Sequence, residues 1–183
     1  IEITDLRKIY RMGNVEVRAL EGVTLNIEKG EFLGIMGPSG SGESTLLHML
    51  DGLIFPDQGV IRAFGSALLE RVFYDEAFSR DFRKKVGLVF QNHDVQLFCP
   101  TVRDDIVFGP LQLRVAEREI KRRLAYLAEL LDIGDLLDRA PHQLSIGEKR
   151  KVALASTLAV DPEVLIMDEP TAGLDAGGRD LYL

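Results

Sequence analysis

The chain has 183 residues, 46% of them hydrophobic and 28% charged, which is the composition of a globular domain long enough to bury a sizeable core. Lys and Arg total 22 against 29 for Asp and Glu, and the net charge of −7 argues against a general nucleic-acid or anionic-membrane binder. The single cysteine, Cys99, excludes an intrachain disulfide and points to a reducing, cytoplasmic setting. No signal-peptide pattern follows Ile1, and apolar runs such as VLIM are far too short to span a bilayer. Any membrane involved is therefore expected to be crossed by another chain.

IEITDLRKIY places Ile1, Ile3 and then Leu6 among polar residues and predicts an edge-type strand. VTLNIEKGEF is a second alternating run, with Lys29-Gly30 marking a turn. FLGIMG, residues 32–37, reads as a short apolar strand running into a glycine-rich loop, and STLLHMLDGL as a buried helix closed near Gly52. Residues 72–85 predict an amphipathic helix and VGLVFQ, 86–91, a strand. Two prolines between 92 and 111 favour loop, with a short helix near Arg103 to Phe108. Val115, Ile120, Leu124, Leu127 and Leu131 then mark a helix. Another follows PHQLS, where Ser145 and Glu148 have capping-box spacing. After Asp161-Pro162, VLIMDEP is an apolar strand ending in two acids. A helical stretch between strand-rich segments predicts an α/β fold with an inserted helical subdomain, about 95–158, within a single domain spanning 1–183.

Chemistry is concentrated in GPSGSGEST, residues 37–45. Gly37, Gly42, Glu43 and Ser44 fall on the fixed places of the phosphate-loop pattern G-x-x-x-x-G-K-[ST], with Glu43 where a lysine belongs. Glycines let successive backbone N–H groups converge on phosphate oxygens, and the following helix aims its positive end there. Ser44 would offer its hydroxyl to Mg²⁺. A glycine turn joining a strand to a helix would use the same residues. In VLIMDEP, a parallel strand would deliver Asp168 and Glu169 to the ligand edge of the sheet. Asp168 would hold Mg²⁺ through water and Glu169 would orient or polarise an attacking water. Alone, the two acids also fit a loop or helix cap.

Taken in order, these motifs resemble the nucleotide-binding domain of an ABC ATPase, over essentially the whole chain. Tyr10 matches the aromatic that stacks on adenine, and Gly37, Pro38, Ser39, Gly40, Ser41, Gly42, Glu43, Ser44 and Thr45 match the phosphate loop. Gln91 matches the Q-loop glutamine, a catalytic and metal-contacting position, and LSIGE (with Ser145, Ile146, Gly147 and Glu148) the LSGGQ signature. VLIMDEP matches the Walker B strand, and Asp175 the D-loop. The resemblance implies a P-loop NTPase core with a mainly parallel sheet, an N-terminal antiparallel β region and an inserted helical subdomain. It implies ATP and Mg²⁺ as ligands, with Ser44, Gln91 and Asp168 at the metal and Glu169 as the catalytic acid. It also implies a head-to-tail homodimer, or heterodimer with a related ATPase, in which Ser145 and the N–H groups after it face the partner's γ-phosphate. A separate integral-membrane permease would place the chain on the inner face of the cell membrane.

QNHDVQLFCPTVRDDIVFGP and LSIGEKRKVALAS resemble ATPases of cobalt, nickel and energy-coupling-factor vitamin importers. The opening, through IMGPSGSG and LDGLIFPDQG, is more similar to lipoprotein-release and macrolide-export ATPases. Import of a metal ion or vitamin is the expected function. A non-hydrolysing nucleotide-binding or assembly subunit and an export ATPase are the alternatives, and a soluble DNA-repair or translation ATPase fits the acidic composition poorly. Two departures from the family point to impaired hydrolysis: the carboxylate at Glu43, and a chain that ends at Leu183, before the expected place of the switch histidine.

Overall fold

The structure, a computed structural model, describes residues 1–13, 15–38 and 40–170. The chain divides into two compact units, Ile1–Ser79 and Arg80–Leu183.

In the first unit, β1 (Glu2–Met12) pairs antiparallel with β2 (Val15–Asn26) on one side and with β3 (Gln58–Ala63) on the other. A short β4 (Ser66–Ala67) completes the order β2-β1-β3-β4. The spacing of Ile3 and Leu6, which breaks strict alternation, is explained by a bulge. Ile3 faces Leu25 and Leu6 faces Val23, so β1 carries one residue more than its partner, and Asp5 there has φ +46°. The extra residue returns Leu6 to the face of Ile3, and both are buried with Ile61. Helix α1 (Glu43–Leu50) buries Leu46, Met49 and Leu50 and ends at Asp51, ahead of Gly52 at φ +67°.

Residues 32–37 depart from the predicted strand. They form no ladder among the described residues, and Phe32 and Met36 are 78% and 94% exposed. An apolar run supplies β-propensity, but a strand exists only where a neighbouring strand takes its N–H and C=O groups. The helix predicted over 72–85 is also shorter. Residues Glu70–Tyr74 form a 3₁₀ turn and α2 covers Glu76–Lys85, with Asp75 Oδ1 accepting from the N–H of Ala77 at 2.8 Å.

The second unit contains a parallel pair, β5 (Val86–Val89) and β6 (Val164–Met167), in the register Val86↔Val164 to Val89↔Met167. Helices α3 (Val102–Gln112), α4 (Glu117–Leu130) and α5 (Ile146–Leu158) accompany it. Their core joins Val102 and Ile106 to Leu127, Ile133, Val152 and Ala155. α3 is longer than the predicted 103–108 and runs through Pro110. Its first-turn donors, Val102 and Arg103, bond the carbonyls of Arg139 and Leu137, and Thr101 caps it by accepting from Asp104 N–H. A proline in the last turn removes a single ladder bond, which this anchoring outweighs. α5 lies close to β5 because Gly87 has no side chain: a Cβ there would come within 2.6 Å of Thr157 Cγ2.

The turn into α1 depends equally on glycine. Gly42 has φ +92°, and a Cβ would lie 2.1 Å from the Ala19 carbonyl oxygen. Gly42→Ala is therefore expected to destabilise the protein by about 2 kcal/mol or more, from left-handed strain and the backbone clash together. A urea unfolding midpoint unchanged from that of the parent would refute this.

Candidate nucleotide site

The phosphate loop lies in the first unit. Ser41 N–H bonds the Pro38 carbonyl at 3.0 Å, Gly40 and Gly42 have positive φ, and the loop passes into α1 at Glu43. Ser44 and Thr45 follow in the first turn, partly buried. A Cβ on Gly37 would lie 2.4 Å from Ser41 Oγ and 2.8 Å from Glu43 Oε1, so a side chain there would fill the inside of the loop. Glu43 Oε1 is buried and, among the described residues, has no hydrogen-bond partner. A carboxylate in the first turn suits the helix dipole, so Glu43 favours α1 while occupying space that suits a phosphate. The glycines and the helix end fit a phosphate chain; the acid does not. Ser39 lies outside the described residues.

Tyr10, on β1, is 38% exposed, with Lys8 Nζ 5.8 Å from its ring centroid. Lys8 is itself held by the Phe55 carbonyl at 2.8 Å and Asp57 at 3.2 Å.

In the second unit the ends of β5 and β6 bring Gln91 and Glu169 together. Gln91 Nε2 donates to Glu169 Oε2 at 2.7 Å, although the two residues are far apart in sequence. Asp168 N–H continues the ladder by donating to the Val89 carbonyl at 3.0 Å, and the Asp168 residue is only 8% exposed. Glu169 has φ +49°, an uncommon conformation for a non-glycine residue that turns the chain as it leaves β6. In this unit the amide oxygen of Gln91 and the carboxylate of Asp168 are hard oxygen donors, the chemistry Mg²⁺ selects, and the Ser44 hydroxyl of the first unit is a donor of the same kind.

LSIGE opens α5. The Ser145 hydroxyl accepts from Glu148 N–H at 3.3 Å, and Glu148 Oε2 accepts from Ser145 N–H at 2.7 Å, forming the capping box. That backbone hydrogen bond holds the Glu148 carboxyl below its usual range. Ile146 is 74% exposed on the same first turn as Gly147. Asp175 lies outside the described residues. Burial and the Asp105 carboxylate push the Cys99 thiol up to about 11, which disfavours the thiolate.

The ABC transporter family pattern matches residues 20–172. The chain belongs to the ABC transporter family. As a member of its ATPase domains, it is 52% identical over 164 residues to the nickel import ATP-binding protein of Rhodobacter capsulatus, a match covering 90% of this chain and 65% of that protein. It is 44% identical over 180 residues to an energy-coupling factor transporter ATP-binding protein of Methanothermobacter thermautotrophicus, covering 98% of the chain and 56% of that protein. The chain thus spans less than two thirds of these curated relatives. A dimeric ATP-binding cassette in a post-hydrolysis state with ADP and Pi aligns with a TM-score of 0.86 at 29% identity, over 98% of this chain and 78% of that one. The fold is that of P-loop ABC ATPases, with the antiparallel N-terminal sheet and parallel strands expected for it. The family binds and hydrolyses ATP. Among the described residues of this ABC ATPase domain, no helix is long and apolar enough to cross a membrane.

Proposed function

We propose that the chain is the ATP-binding part of an ABC importer, coupling ATP binding and hydrolysis to transport through a separate membrane permease. The cargo class proposed is a transition-metal ion or a vitamin, supported by the likeness to nickel-import and energy-coupling-factor proteins. Hydrolysis as the site's chemistry rests on the Gln91–Glu169 hydrogen bond at the open ends of two parallel strands, where such sheets hold ligands. Glu169 would orient the attacking water, Gln91 would position Glu169 and contact the metal, and Asp168 with Ser44 would hold Mg²⁺. When bound, Mg²⁺ supplies neutralisation of the charge that develops on the β- and γ-phosphate oxygens. Gly37 to Thr45 would cradle the phosphates and Tyr10 would stack on adenine. The test is nickel, cobalt or vitamin uptake by cells carrying the chain with a candidate permease; uptake that is the same without the chain would refute the importer reading.

Glu43 favours a second reading, a nucleotide-binding or assembly subunit with little turnover, because one oxygen of its carboxylate is buried inside the loop. In either reading the chain would act as a head-to-tail dimer, with the Ser145–Glu148 turn facing the partner's nucleotide. Ser145→Arg in a Glu43→Lys background is expected to abolish ATP-dependent dimerisation measured by light scattering. Loss of the cap costs about 1 kcal/mol, so the variant stays folded by circular dichroism. Normal dimerisation on ATP would remove the signature turn from this role.

A further inference from the structure

The segment from Phe90 to Leu97 carries Gln91 away from β5, and one side chain, Gln96, ties it down. Gln96 Oε1 accepts the N–H of Phe90 at 3.1 Å, the residue immediately before Gln91. Its Nε2 faces three acceptors on α5: the Ala153 carbonyl at 3.0 Å, Thr157 Oγ1 at 3.0 Å and Ser156 Oγ at 3.3 Å. Ser156 and Thr157 hydroxyls in turn contact the Ala153 carbonyl at 2.9 and 3.0 Å, which orients their lone pairs outward to receive the amide. A second tie runs from Asp94 to Lys149 in the first turn of α5 at 2.6 Å, and Asn92 caps Asp94 N–H at 3.0 Å. The bonds from Gln96 are part-buried, whereas the Asp94–Lys149 pair is exposed, so Gln96 carries more of the fastening.

We infer that Gln96 is a positioning residue, which holds Gln91 against Glu169 by fixing the 90–97 segment to the signature helix α5. The inference rests on the proposed reading of Gln91 and Glu169 as groups of an ATP-hydrolysing site. A movement of α5 then reaches Gln91 through one amide, since the same side chain binds both the helix and the backbone at Phe90. A merely structural glutamine would stabilise the fold without acting through Gln91, and that difference is measurable.

The experiment is a double-mutant cycle between Gln96→Met and Gln91→Ala in the full chain carrying Glu43→Lys. Gln96→Met alone is expected to lower kcat about tenfold with KM for Mg-ATP within about twofold, and to add less than about twofold to Gln91→Ala. Full additivity, or an unchanged kcat, overturns the inference. If Gln96→Met does not fold, Gln96→Glu, which keeps the acceptor for Phe90 N–H and loses the donor, is carried through the same cycle. Amide hydrogen exchange on the unaltered Glu43 chain separates this from a failure of the nucleotide reading. Gln96→Met should speed exchange at the Phe90 and Gln91 amides at least about tenfold, with α4 unchanged; equal exchange overturns the inference even if the Glu43→Lys parent is an active ATPase. Faster exchange with a parent that does not hydrolyse ATP keeps the fastening and overturns the ATPase reading instead.

Discussion

Glu43→Lys is expected to tighten Mg-ATP binding at least about tenfold, worth about 1.4 kcal/mol. Glu43 Oε1 is buried inside the phosphate loop and, among the described atoms, accepts no hydrogen bond, so its charge faces the space a phosphate would take. A charge pair at ~4 Å in an effective dielectric of ~20 is worth about 4 kcal/mol, and the substitution both removes a repulsion and adds an attraction. Tenfold is therefore a lower limit. Glu43→Ala, which only removes the repulsion, should fall between the two in affinity. The lysine also places a cation at the start of α1, where the helix dipole disfavours it by about 0.3–1 kcal/mol, so the better binder is expected to be slightly less stable without nucleotide. Titration calorimetry on the three proteins decides this. Equal affinities would show that residue 43 does not face the phosphates.

The second large effect is on turnover. In the Glu43→Lys protein, Glu169→Gln should reduce hydrolysis by about 10²–10⁴-fold while ATP binding persists. The substitution preserves shape, and the new amide oxygen can still accept from Gln91 Nε2, so the contact seen at 2.7 Å survives while the charge that polarises water is lost. Asp168→Asn should behave differently, weakening the metal-dependent part of nucleotide binding as well as turnover. Asp168 is 8% exposed and its backbone continues the β5–β6 ladder, so the change acts through the carboxylate rather than through a loosened strand end. Hydrolysis by Glu169→Gln at the parent rate would make Glu169 a structural strand-end acid.

Several features were determined by local sequence alone. Ser145 and Glu148 stand three apart, and a capping box needs only that spacing and a helix start, so it formed as read. Gly40 and Gly42 of the phosphate loop similarly can take their positive φ because they lack a Cβ. Thr101 and Asp104 carried the same kind of start signal for α3, outweighed in the sequence reading by the nearby prolines. What local sequence could not determine is every feature whose partner is distant along the chain. Whether 32–37 becomes a strand depends on a neighbour to receive its backbone hydrogen bonds, and the start of α3 at Val102 is anchored by the carbonyls of Leu137 and Arg139, which take its first N–H groups. The Gln91–Glu169 contact and the ties of Gln96 to α5 have the same origin. A hydrogen bond between distant residues leaves no periodicity in either segment, so it becomes visible only when packing has brought the two ends together.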